Sequence, residues 1–254
     1  MPSTRPSTLA DRVRDSSRRR RSAESTSVRD AIFAAAEGLL VEEGYEGLSL
    51  RRVAERIGYT PTTIYRHYKD KDHLVEGMVQ LGFVQFDRAL REAVSSELDL
   101  VERQKALWRA YVRFALDHPT RYRLMFMQRP DVSARVMGSP PAGPQTLDDV
   151  PTRPAAPLAG HTPVTPSGRP VPSWDCGDDN ASIHSFLVLQ DAVAELVAAG
   201  RTRLTDVAAI SLALWTQVHG VAALALSMPF LSPELVDVMS ETALTLSMEG
   251  LLRA

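Results

Sequence analysis

One cysteine, Cys176, stands among 254 residues, so no intramolecular disulfide can form and neither a zinc finger nor a cysteine-ligated cluster is available. Enzyme spacings are missing too. The six histidines, at 67, 73, 118, 161, 184 and 219, make no HExxH and no i, i+4 pair, and no GxSxG elbow or phosphate-cradling glycine loop occurs. Catalytic residues, a metal site and a cofactor are therefore not expected. A nucleophile pair of Cys176 and His184 would sit in or beside a proline-rich stretch with no residue to orient it, which argues against an enzyme. Strand-type alternation of apolar and polar residues is absent, whereas helical periodicity dominates and 44% apolar residues can build a core. The expected class is all-α. The net charge of −2 is no whole-chain signature of nucleic-acid binding.

The charge is unevenly placed. Residues 1 to 29 hold eight Arg against Asp11, Asp15 and Glu24, a net of +5. Rich in Ser, Pro and Arg and poor in large apolar residues, residues 1–26 read as a disordered basic arm, suited to phosphate or minor-groove contacts or else inert. They lack the apolar core of a secretory signal.

From Leu48 to Lys71 the sequence LSLRRVAERIGYTPTTIYRHYKDK reads as two short helices joined by a Gly turn. Ser49 is placed to cap the first, Leu50, Val53, Ala54 and Ile57 form an i, i+3, i+4, i+7 stripe, and Gly58 ends it in the left-handed conformation. Thr60 as N-cap and Pro61 at the first helical position start the second. There Ile64 and Tyr68 point one way, while Thr62, Thr63 and Arg66 cluster opposite them, flanked by Tyr65 and His67. Such an outer face suits a major groove, with Arg66 able to fork onto guanine O6 and N7. A solvated amphipathic pair is the plainer alternative. Upstream, Ser27 to Gly44 forms a helix with Val28, Ile32, Phe33, Ala36, Leu39 and Leu40 inward. Downstream, Asp70 caps a helix carrying Leu74, Met78 and Leu81.

The segment AIFAAAEGLLVEEGYEGLSLRRVAERIGYTPTTIYRHYKDKDHLVEGM, Ala31 to Met78, resembles the TetR/AcrR-type bacterial transcription regulators, with Tyr68 where that family more often has Phe. The resemblance implies a three-helix helix-turn-helix head at 27–73 and a helical effector-binding and dimerisation domain at 74–254. It implies Thr60, Thr62, Thr63, Tyr65, Arg66 and His67 on or next to DNA, and Ser49, Arg51 and Lys71 on the phosphate backbone.

Beyond the head, a long helix from Asp70 to about Ser96 carries Leu81, Phe86, Ala89, Leu90, Ala93 and Val94 inward. A second runs from about Leu100 to Asp117 with Leu107, Trp108, Tyr111, Val112 and Ala115, and stops before Pro119 because a residue preceding proline resists the α region. TRYRLMFMQ adds a short helix, and HPTRYRLMF is similar to a segment found in many members of that family. Residues 129–181 contain eleven of the seventeen prolines and no periodic apolar face, and read as an inserted loop that includes Trp174 and Cys176. Helical patterning resumes near Ser182, with Phe186, Leu189, Val193, Leu196 and Val197 before Gly200. Thr205 is expected to cap an apolar helix to about Ser227, and Ser232-Pro233-Glu234 to start the last one, whose apolar residues are Leu235, Val238, Met239, Leu246 and, beside them, Thr242.

The stretch from Val207 to Leu231 is apolar enough to raise a membrane span, but Ser211, Thr216, Gln217 and His219 inside it and the missing basic flanks argue against one. A helix apolar nearly all round is better covered by protein, and the economical cover is a two-fold four-helix interface using about 205–227 and 233–252. The resemblance implies that homodimer as well, and LWTQVHGVAAL resembles the Trp-x-x-x-His-Gly element of one C-terminal subgroup. Phe86, Trp108, Tyr111, Met125, Phe126, Phe186, Trp215 and His219 could line an apolar effector pocket, each alone being ordinary core, with His219 a hydrogen-bonded core histidine as the plainer reading. The expectation is a cytoplasmic, nucleoid-associated repressor that binds double-stranded, near-palindromic operator DNA as a homodimer and is released by a small apolar effector. A constitutive DNA binder without effector and an enzyme are the alternatives.

Overall fold

The computed structural model describes residues 9–94, 99–127 and 181–253, with side chains described over 27–94, 99–127 and 185–253. Among the described residues the chain forms nine helices and no strand. Apart from Ala181, the proline-rich stretch at 129–181 lies outside them, as do the side chains of Trp174, Cys176 and His184. Two compact units divide the chain, Met1–Leu74 and Val75–Ala254.

The first unit opens with α1, Leu9–Gly47, interrupted at Gly44, whose φ of 70° and ψ of −172° lie outside the helical region. The break falls where a helix stop is expected, but α1 starts far earlier than Ser27. The backbone of residues 9–26 is helical, not the disordered arm that composition suggested. No Pro or Gly stands between Thr8 and Gly38, Arg and Ala are strong helix formers, and adding a residue to an existing helix avoids the cost of a new nucleus. Ile32, Phe33, Ala36, Leu39 and Leu40 are buried, as their spacing requires. Leu50–Ile57 forms α2, Pro61–Tyr65 forms α3, and α4, Lys71–Val94, begins in this unit. Asp70 caps α4 by accepting the His73 N–H at 2.8 Å. Tyr68 is buried against Phe33, ring centroids 5.8 Å apart, so the extra hydroxyl is accommodated and burial pushes its pKa up.

The second unit is built around α5, Leu100–Asp117, which packs against α6, Pro119–Phe126, α7, Ala181–Ala198, α8, Val207–Ser227, and α9, Pro233–Leu251. Asp99 caps α5 with bonds from the Val101 and Glu102 N–H groups at 2.8 and 3.2 Å, and these hold its carboxyl below the usual range. Leu107, Trp108, Tyr111, Val112 and Ala115 are all buried. Gly82 of α4 lies where a Cβ would be 2.6 Å from Met125 Sδ of α6, so the missing side chain permits that approach.

One expectation needs correction here. Asp206, not Thr205, caps α8, accepting the Ala209 N–H at 3.0 Å; its carboxylate also meets the positive helix end more favourably than a hydroxyl. In α9 the residues buried within the chain are Val236, Ser240, Leu244, Ser247, Met248 and Leu251, whereas Leu235, Val238 and Leu246 are 50%, 62% and 65% exposed. The helix has two apolar faces, and the inner one includes serines because each has a partner. Trp108 Nε1–H donates to Ser240 at 3.1 Å, and Ser247 donates to Gln217 and to the Ala243 carbonyl. Helix α8 is long and apolar enough to cross a membrane, with a mean hydropathy of 1.6, yet it packs against α5, α7 and α9.

Candidate functional site

In the head, α2 and α3 form a short helix pair. Ser49 accepts the Arg52 N–H at 3.3 Å, and Gly58, at φ 71° and ψ 26°, turns its N–H back to the Ala54 and Glu55 carbonyls. Only a residue tolerant of positive φ can make that turn without strain. Thr60 has the extended backbone of an N-cap, but its hydroxyl lies 3.1 Å from that of Thr63 and makes no capping bond. Ile64 is fully buried, and the turn fixed by this anchor leaves Thr62, Tyr65 and Arg66 exposed, with Thr63 and His67 half-buried.

Charge pairing sorts the basic side chains around this face. Arg52 forks onto Glu43 and also donates to the Gly47 carbonyl at 2.9 Å; Arg56 forks onto Glu42. Those hydrogen bonds hold both glutamates below the usual carboxylate range. The two arginines are thereby tied to α1 and neutralised. Arg51 pairs with Glu55 at 3.0 Å, and Lys71 sits 4.2 Å over the Tyr45 ring and 3.8 Å from Glu46. The Arg51–Glu55 pair is solvent-exposed, as is Glu46 beside the half-buried Lys71, and surface pairs of this kind contribute about 0–1 kcal/mol, so a phosphate could replace either carboxylate at little cost. Arg66 has no ion-pair partner among the described residues and caps the C-terminal end of α3. The arrangement presents hydroxyls, a phenol and, among the described residues, one guanidinium without a carboxylate partner on one face.

In the second unit the eight residues expected to line one pocket separate into two groups. Phe86, Tyr111 and Phe126 are mutually in ring contact, and Tyr122, which the sequence reading overlooked, joins them with its centroid 4.9 Å from that of Phe126. His219 stacks on Tyr122 and on Trp215, which meets Phe186 edge-on at 6.5 Å. The Tyr122 hydroxyl donates to the Tyr111 hydroxyl at 3.1 Å and lies 2.6 Å from His219 Nδ1, with the Tyr111 hydroxyl 3.3 Å from the same nitrogen. Burial raises both phenol pKa values far above ordinary and lowers that of His219, so all three are neutral. Met125 packs under Gly82.

The second group borders a cleft between α5, α7 and α8. Of the expected residues only Trp108 and Trp215 line it. Leu189 and Val193 supply the α7 wall, Ser211, Leu214 and Val218 the α8 wall, and Gln104 stands beside Trp108 on α5. Phe86, Tyr111, Met125, Phe126, Phe186 and His219 do not line it, because ring packing draws most of them into the neighbouring cluster. Gln104 gave no sequence signal, being a polar residue on an otherwise apolar face.

A pH test follows from His219. Its pKa is lowered from 6.5 on folding, so the stabilisation from holding it neutral is complete above pH 6.5 and is lost as pH falls through the lowered folded value. Between about pH 7.5 and pH 5 the wild type should lose more Tm than His219→Gln, read by thermal unfolding. Parallel curves would remove His219 from the acid response.

Residues 32–78 match the family model described as bacterial regulatory proteins, tetR family, and residues 105–163 match that of the tetracyclin repressor-like C-terminal domain. An uncharacterized HTH-type transcriptional regulator from Haemophilus influenzae is 27% identical over 95 residues, 37% of this chain and 51% of that protein. The chain thus spans about half the length of this curated relative. Among solved structures, a Rhodococcus sp. RHA1 protein of unknown function is 26% identical with a TM-score of 0.62, covering 89% of this chain and 95% of that one. The fatty acid degradation regulator FadR of Bacillus halodurans shares the fold at 12% identity, with a TM-score of 0.61 over 87% of this chain and 94% of that one.

Proposed function

Because the chain belongs to the TetR family of bacterial regulatory proteins, we propose that it is a DNA-binding transcriptional regulator whose α3 reads the major groove of a near-palindromic operator. The observation that carries this reading is the exposed face of α3, where Arg66 alone among the arginines of α2 and α3 and their junctions is left without a carboxylate partner among the described residues. Thr62, Tyr65 and Arg66 face bases or phosphates, Thr60, Thr63 and His67 flank them, and Ser49, Arg51 and Lys71 border the phosphates. Two such faces are brought together by a homodimer through α8 and α9. That reading is supported by Leu235, Val238 and Leu246 on α9, with Leu224 of α8 and the 78% exposed Phe230 between the two helices. So much exposed apolar surface on adjacent elements marks an interaction site.

The protein acts in the cytoplasm as a repressor, released by a small effector bound in the second unit. An effector can do this only by binding the DNA-incompetent state more tightly, and linkage then requires operator DNA to weaken effector binding by the same factor.

Salt dependence tests the DNA reading. The wild type should bind duplex DNA with affinity falling steeply as salt rises, and deletion of residues 1–24, which carry seven of the eight N-terminal arginines, should weaken binding to all sequences alike and flatten that slope. Absence of any duplex binding at low salt contradicts the proposal; an unchanged slope in the truncated chain removes only the arm.

A further inference from the structure

We infer that Tyr45 is a positioning residue for DNA binding: its ring holds the Lys71 ammonium in one place at the N-terminal end of α4, ready for a backbone phosphate. This rests on the reading of the head as a DNA reader and gives a role to a residue outside the face that enters the groove. Lys71 Nζ lies 4.2 Å from the centroid of the Tyr45 ring, close enough for a cation over an aromatic face. The far end of the ring is held as well, because the Tyr45 hydroxyl donates to Asp72 Oδ1. Backbone fixes the rest. Helix α1 is interrupted at Gly44, immediately before Tyr45, and the Tyr45 carbonyl accepts the N–H of buried Leu48 at 3.2 Å, so the ring is mounted on a closed turn anchored in the core.

Lys71 needs such a holder. It is the first residue of α4, where a cation faces the positive end of the helix macrodipole, the end that favours anions. Glu46 holds it only loosely, since the carboxylate is 3.8 Å away, beyond hydrogen-bond length, on a side chain that is 92% exposed. An ammonium carries three N–H donors and a ring face takes up the direction of one, so a phosphate oxygen can replace Glu46 without displacing Tyr45. The phosphate gains twice there, from the lysine and from the end of α4. A lysine chain normally gives up much rotamer freedom when it grips a phosphate; one already laid over a ring gives up less.

The test is a double-mutant cycle read as duplex affinity of the full-length chain. Tyr45→Leu should weaken binding to all sequences alike by about two- to fivefold for each bound head, the range of an exposed contact between a cation and a ring, whereas Tyr45→Phe keeps the ring and should recover most of that loss. Lys71→Met should also weaken all sequences alike and lower the salt slope by about one per head. In the Lys71→Met background Tyr45→Leu should then cost nothing further, while a tyrosine with a purely structural role would cost the same with or without the lysine. Should Tyr45→Leu fail to fold, the wild type reads the same contact by NMR: the Lys71 ε-methylene protons should be shifted upfield by the ring in the free chain and stay upfield when duplex is added. Equal losses from Tyr45→Leu in the two backgrounds, no loss in the presence of Lys71, or Lys71 signals without a ring shift overturn the inference. A chain that binds no duplex at low salt takes the underlying reading down with it; one that binds duplex without coupling between Tyr45 and Lys71 sinks this inference alone.

Discussion

Arg66→Ala is expected to remove about 1–3 kcal/mol of discrimination per half-site, roughly tenfold or more, with the fold and oligomeric state unchanged. The guanidinium is exposed and makes no ion pair among the described residues, so nothing in the head depends on it, whereas a bidentate contact to guanine would be lost outright. Affinity for the best sequence should fall towards that for unrelated duplex, with relaxed preference at one base pair per half-site. The check is a titration of operator and single-base variants against both proteins. Unchanged affinity together with unchanged base preference takes Arg66 off the reading face. Arg52→Ala serves as the contrast. That side chain is tied to Glu43 and the Gly47 carbonyl, so its loss should lower the stability of the head before it touches base preference.

A charge on the exposed face of α9 should have the other large effect. Val238→Glu together with Leu246→Glu places two carboxylates on side chains that are 62% and 65% exposed in the single chain, where they disturb no core contact. In a helix-to-helix interface the same carboxylates would be buried without partners. The doubly substituted chain should therefore be folded and monomeric by sedimentation. Losing the second reader turns a two-point contact into a one-point contact and should weaken operator binding by about 10²- to 10⁴-fold. A doubly substituted chain that remains a dimer moves the interface elsewhere.

The head was legible from sequence because its determinants are local. Ser49, Gly58, Pro61 and Asp70 act on backbone within four residues of themselves, and the stripes on α1 and α2 identify their buried face without reference to anything distant. The body was legible as helices and less so as surfaces. Helix α9 has two apolar faces, and periodicity cannot tell which one a single chain buries; Ser240 and Ser247 face inward because Trp108, 132 residues away in sequence for Ser240, and Gln217 satisfy them. The Tyr111, Tyr122 and His219 network likewise joins residues up to 108 positions apart, and no spacing rule reaches that far. For Gln104 the signal was present but unreadable, since a lone glutamine on an apolar face means one thing if a partner awaits it and another if none does. Residues 9–26 show the reverse error. Composition suggested an arm, while the adjoining helix carries them into its own register.

Glu42 and Glu43 add a pH signature in the head. Both have folded pKa values lowered from 4.5 by their arginine partners, so the stabilisation they bring is full above pH 4.5 and is lost as pH falls through the lowered values. This loss begins below pH 4.5, whereas the one tied to His219 begins below pH 6.5.

The central claim, that a two-fold pair of α3 faces reads DNA, is tested most directly by selecting binding sites for the full-length wild-type chain from a pool of random duplexes. The account predicts enrichment of a near-palindromic site bound by two chains, with half-site centres about one helical turn, 34–36 Å, or slightly more apart. No enriched sequence, or a single unrepeated half-site bound by one chain, would contradict it.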